Sequence, residues 1–172
     1  MNSNENQIKR VCSFFVNEWH LTTMLLPYIH KKIEEKEEFV TILENGIRGN
    51  VEELMNRMNL KEDTKKEIAN INWTSTKILK YAEIKKKIET VKNGPINILV
   101  NGDQGYINEV NKMISKVIKQ SKTANQITVI NCYEITKFSN ISEITKEYEY
   151  ILNTSGMQKV KEVFYQEETK EA

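Results

Sequence analysis

The chain has 172 residues, and 25 Lys and Arg against 24 Asp and Glu leave a formal charge of +1. A chain of this length can bury about 70% of the surface its unfolded form exposes, so it folds as one domain without disulfide or metal staples. The balanced charge argues against an electrostatic grip on nucleic acid or anionic lipid. Two cysteines form neither a disulfide framework nor a zinc-binding spacing. No apolar run approaches the roughly 18 residues that span a bilayer, and Met1 to Asn6 lacks the basic and apolar regions of a signal peptide. A reduced cytoplasmic location away from membranes is expected.

Residues 1–8 read as a flexible polar leader, residues 9–165 as the folded domain and residues 166–172 as a flexible tail. Val11 to Val16, a nearly continuous apolar and aromatic run, predicts a buried strand. Leu21, Leu25, Tyr28, Ile29 and Ile33 fall three or four apart and predict a helix to about Lys36, which Pro27 either kinks or opens. Phe39 to Leu43 predicts a second strand closed by Asn45-Gly46, and Val51, Leu54, Met55 and Met58 a second helix. Ile71 to Thr74 predicts a weaker strand. The helix striped by Tyr81, Ile84, Ile88 and Val91 stops at Asn93-Gly94-Pro95.

Ile96 to Val100 predicts the central strand, and Tyr106, Ile107, Val110, Met113, Ile114, Val117 and Ile118 stripe the broadest helix. Ile127 to Tyr133 predicts the last strand. Beyond it, Ile141, Ile144, Tyr148, Ile151 and Leu152 read as helical, as do Val160, Val163 and Phe164 after a break at Gly156. Five strand-then-helix units predict an α/β fold: a parallel or mostly parallel five-stranded sheet flanked by helices in a three-layer, RecA- or Rossmann-like sandwich.

The sequence withholds most catalytic chemistry. A nucleotide-hydrolysing core needs a glycine-rich loop with a lysine after its first strand, and here that connection is Val16-Asn17-Glu18-Trp19-His20-Leu21. Asp103 is the one acidic residue placed to coordinate magnesium after the central strand. A phosphoacceptor receiver is disfavoured because the third strand closes with Trp73-Thr74-Ser75 and no aspartate; Glu18 and Lys137 alone resemble its other parts. His20 and His30 stand ten positions apart and cannot form a metal pair on one helical face. His30 reads as a surface residue and His20 as a cap or flank of the first helix.

Ser13 lacks the glycine-flanked turn that exposes a nucleophile. Cys12 and Cys132 read as core packing, with a redox pair the alternative if their strands are neighbours. The charge runs Lys31-Lys32 with Glu34-Glu35 and Lys85-Lys86-Lys87 read as solvated faces. Trp19 and Trp73, at strand ends, either line a cleft or close the core edge.

Arg10-Val11-Cys12-Ser13-Phe14-Phe15, followed by Leu25-Leu26-Pro27-Tyr28-Ile29 and Glu37-Glu38-Phe39-Val40, resembles the opening of the methanogen/methylotroph sensory (MEDS) domain. Asn131-Cys132-Tyr133-Glu134-Ile135-Thr136-Lys137-Phe138-Ser139 resembles that family's Cys-x-Tyr-Asp-x-x-x-Phe run. The resemblance spans residues 9 to 164, with the middle matching only in its order of strands and helices. It implies a degenerate relative of RecA- and KaiC-type ATPase cores that senses small, hydrocarbon-like ligands within signalling proteins. Arg10 stands where the family has histidine, Phe15 where it has tyrosine, Glu134 where it has aspartate, and Asn101-Gly102 where Glu-Trp is frequent.

The expected function is therefore a stand-alone, non-catalytic sensory or regulatory domain without a cofactor or metal. It would bind a small apolar ligand or a signalling protein, such as a histidine kinase, a sigma factor or a transcription regulator, with a homodimer as a further arrangement. Residues at or just past predicted strand ends are the expected contacts: Asn17, Trp19, His20, Glu44, Asn101, Asp103, Tyr133 and Glu134. The alternative is an ATP-binding protein with weak or no hydrolysis, using Asn17 and Lys137 on the phosphates.

Overall fold

The structure, a computed structural model, describes residues 8–91, 94–120, 126–136 and 139–164. Most of the expected leader and the whole tail, with Asn93, Lys137 and Phe138, lie outside the described residues. The elements run β1 (Ile8–Phe15), α1 (Glu18–Glu34), β2 (Glu38–Leu43), α2 (Arg48–Arg57), α3 (Glu62–Asn70), α4 (Tyr81–Thr90), β3 (Ile96–Gly102), α5 (Gln104–Gln120), β4 (Ile127–Glu134), α6 (Ile141–Thr145), β5 (Tyr150–Asn153), β6 (Gly156–Lys159) and α7 (Val160–Phe164).

The six strands form one sheet in the order β2-β3-β4-β1-β5-β6, parallel except for β6, which pairs antiparallel with β5. Alternation along each strand sorts side chains to two faces. One face carries Cys12, Val40, Ile42, Ile98, Val100 and Val129 against α4 and α5. The other carries Val11, Phe15, Leu43, Leu99, Ile130 and Cys132 against α1, α2 and α3. The result is the expected three-layer α/β arrangement with six strands rather than five. Strands covered on both faces explain why β1, β3 and β4 read as continuous apolar runs.

Three readings are corrected. Residues 71–74 form no strand; Trp73 is 1% exposed and its indole N–H donates to the Ile68 carbonyl at 2.9 Å, so it closes the core beneath α3. Helix α3 itself was not anticipated. Ile151 and Leu152 belong to the β5–β6 hairpin rather than to a helix, because Gly156, at φ 105°, turns the chain back so that Asn153 pairs with Gly156 and Tyr150 with Lys159.

Pro27 lies inside α1 and does not open it. The helix passes Tyr28, whose hydroxyl donates to Asn97 Oδ1 of β3 at 2.8 Å and ties α1 across the sheet. Lys87 departs from the expected solvated run: its half-buried ammonium donates to the Thr41 carbonyl at 3.1 Å, capping an acceptor of β2, the sheet's edge strand. Burial lowers its pKa.

Candidate functional site

Strands β1 and β4 are neighbours, yet the chain leaves them toward opposite faces. From β1 it enters α1, whose Leu21, Leu25 and Ile29 pack on the Val11 face; from β4 it reaches α6, whose Ile144 packs on the Cys12 face. Loops that diverge in this way open a crevice beyond the carboxyl ends of the two strands.

On the β1 side the strand-end residues are engaged in helix capping. Asn17 Oδ1 accepts the His20 N–H at 2.8 Å, and His20 Nδ1 accepts the Val16 N–H at 3.2 Å. These two residues thus satisfy exposed amides at the start of α1. Glu18 occupies the first turn, where the positive end of the helix dipole already has a carboxylate beside it. Trp19 is half-buried, its ring 5.4 Å from the guanidinium of Arg57 in α2.

At the ends of β2 and β3 the polar side chains fasten loops. Buried Asn101 mimics a strand partner: Oδ1 accepts the Asn45 N–H at 3.1 Å and Nδ2 donates to the Asn45 carbonyl at 2.9 Å. Glu44 Oε1 accepts the Asp103 N–H at 3.1 Å, and Asp103 Oδ1 in turn accepts the Tyr106 N–H at 2.8 Å, capping α5.

Asp103, Tyr133 and Glu134 come together in a cleft of about 360 Å³. Phe14, Tyr133 and Ile144 supply its apolar side, and Asp103, Glu134, Thr136 and Ser139 its polar side. Phe14 and Tyr133 stack with ring centroids 5.7 Å apart. Glu44 supports this group through Asp103. Asn17, Trp19, His20 and Asn101 are not among its lining residues, although all of them lie at strand ends. Lys137, assigned to phosphate in the ATP-binding alternative, lies outside the described residues.

Beneath the cleft runs a polar network that strand-end reasoning did not find. Tyr133 and Tyr148 share a hydroxyl–hydroxyl bond of 2.6 Å, Asn131 Nδ2 donates to the Tyr148 hydroxyl at 2.8 Å, and Asn111 Nδ2 donates to Asn131 Oδ1 at 2.9 Å. Arg10 completes it, with Nη1 donating to Asn111 Oδ1 at 2.9 Å and Nη2 to Ser115 Oγ at 3.2 Å. Burial raises the pKa of both tyrosines, so the network is neutral apart from Arg10. Its sequence signal was polar residues at core-facing positions, Asn131 within β4 and Asn111 beside the α5 stripe.

Cys12 and Cys132 sit on neighbouring strands, but Cys12 pairs in register with Asn131 and Cys132 with Ser13. The one-residue offset sends the two thiols to opposite faces of the sheet, which excludes a disulfide between them. Burial pushes the Cys12 thiol up to about 12 and raises that of Cys132 as well. Ser13 is fully buried and donates to the Leu152 carbonyl at 2.8 Å, a strap from β1 to β5. His30 pairs with Glu34 at 3.2 Å on the outside of α1. Among the described residues no three His, Cys, Asp or Glu converge as metal ligands, and no helix is long and apolar enough to cross a membrane.

Compared with models of known protein families and with curated proteins, the sequence matches none.

Proposed function

We propose that the chain is a non-catalytic sensory domain of the MEDS-like kind its two cysteine-bearing strands resemble, and that it binds a small, largely apolar ligand at the Phe14–Tyr133–Ile144 cleft. The carrying observation is that cleft. It lies beyond the strand carboxyl ends, its volume of about 360 Å³ suits a small molecule, and its aromatic floor meets a rim of hydrogen-bonding groups. The order β5-β1-β4-β3-β2 fits a RecA- or KaiC-like core, while the two-residue turn between Phe15 and Glu18 leaves no loop to wrap phosphates. The bound state would be read by a signalling partner such as a kinase or transcription regulator.

The test is affinity capture of the full chain from native lysate, with mass spectrometry of co-eluting small molecules, followed by titration of the ligand found. Glu134→Gln and Ser139→Ala should weaken binding at least about fivefold, near 1 kcal/mol; thermal stability should be nearly unchanged in Glu134→Gln, because Glu134 is exposed, whereas Ser139→Ala also removes the acceptor of the Thr136 N–H. Equal affinity in wild type and both variants would remove the cleft from consideration. Tight, magnesium-dependent ATP binding at the β1–α1 turn would favour the nucleotide-binding alternative.

A further inference from the structure

A second concavity opens on the α5 side of the sheet, next to the amino half of β1, and its chemistry is one-sided. It encloses about 740 Å³ and is lined by Arg10, Lys112, Lys116 and Lys119, with the amides of Asn108, Asn111 and Gln120 and the hydroxyl of Ser115 between them and, among the described residues, no carboxylate. Glu109, next to the groove on α5, reaches Lys112 at 3.8 Å, and both of these side chains are exposed. Lys116 carries its ammonium 4.5 Å from the Tyr81 ring.

Arg10 distinguishes this groove from a solvated lysine face. Among the described residues its half-buried guanidinium bonds only to the neutral side chains of Asn111 and Ser115, and no carboxylate pairs with it. A sheltered cation is ordinarily paired with an anion. A guanidinium offers five N–H donors in a fixed fork, so donors remain for a further acceptor. Its orientation is set in advance, because Asn111 is itself held by Asn131 at 2.9 Å and by the Ile107 carbonyl at 2.8 Å.

We propose that this groove binds a compact polyanion, a phosphate-bearing small molecule, anchored by Arg10 and neutralised by Lys112 and Lys116. Arg10 is the anchor because a planar fork matches two phosphate oxygens at once, whereas ammoniums act as point charges. Lys112 and Lys116 stand one helical turn apart on α5, about 6 Å along its axis. That span suits a diphosphate or triphosphate, and a net charge of +1 argues against an electrostatic grip on duplex nucleic acid.

The experiment is an NMR titration of the full chain with inorganic pyrophosphate at two salt concentrations. Saturable shifts centred on Arg10, Asn111 and Lys116 are expected, with affinity falling as salt rises. Arg10→Gln should weaken binding about tenfold or more and Lys116→Gln about threefold, the loss of one charge-assisted anchor and of one screening charge. Lys116 is exposed, so Lys116→Gln keeps the test decisive should Arg10→Gln not fold. Glu134→Gln, which alters the other cleft, should leave pyrophosphate affinity unchanged, so the two readings fail separately. The proposal is overturned by no saturable shift up to millimolar pyrophosphate, by equal affinity in both groove variants, by shifts centred instead on Asp103 and Glu134, or by saturable duplex DNA binding without pyrophosphate binding.

Discussion

Gly102 sits where β3 must end so that Glu44 can reach the Asp103 amide. Its φ is 149°, a region side chains rarely adopt, and an added Cβ would lie 2.9 Å from Glu44 Cβ and 3.0 Å from Tyr106 Cδ1. Gly102→Ala should therefore cost about 1–3 kcal/mol by denaturant melting, and it should loosen Asp103 beside the cleft. An alanine variant as stable as wild type would mean that the backbone can relax there. Asn101 and Gly102 thus act through loop geometry: one side chain replaces a strand partner, and one missing side chain makes room. The identity of Asp103, Tyr133 and Glu134 as strand-end residues was legible because a buried apolar run followed by polar residues marks where a strand leaves the sheet. The Arg10 network was not, because a polar residue's partners sit on other elements, and one chain of letters does not say which.

At the scale of elements, the end of α1 carries an unused margin. Lys36 adopts φ 66°, donating its N–H to Ile33, while Glu37 donates to Lys32. This is the closing motif that glycine normally occupies. Lys36→Gly should raise stability by up to about 1 kcal/mol, since a left-handed lysine is strained by its Cβ; an unchanged or lower melting temperature would show that the lysine stem compensates. The elements β1 to β4, α1, α2, α4 and α5 were legible, each carrying four or more apolar residues in a short run or at helical spacing. The β5–β6 hairpin was not, because Ile144, Tyr148 and Ile151 happen to fall at helical spacing while strands of four residues each are too short to express a period of two. Gly156 and its turn decided the outcome.

For the whole molecule, the buried thiols and phenols make one prediction about pH. Burial raises Cys12 and Tyr106 to about 12 from ordinary values of 9.0 and 10.0, and raises Cys132, Tyr28, Tyr133 and Tyr148 in the same direction. The fold therefore holds these protons more tightly than the unfolded chain does. Their contribution is complete below about pH 9 and declines as pH rises toward the folded values, because the unfolded chain ionises first. Lys87, lowered by burial, runs the other way but is a single group. Urea melts from pH 8 to 11 should show a steadily falling midpoint, and a flat profile would contradict the burial of these groups.

What the sequence determined by itself was the class: α/β periodicity, two buried strand motifs and a first strand-to-helix connection without the glycine-rich phosphate loop. These follow from local spacing, which the chain carries in its own order. Only the tertiary structure decided that β1 and β4 are neighbours, that their thiols face apart, that three of eight strand-end residues share a cleft, and that Arg10 opens into a groove without a carboxylate among the described residues. Each of these depends on strand order and on which face a residue takes. Those are set by packing between segments more than a hundred residues apart, as in the bond from Arg10 to Asn111.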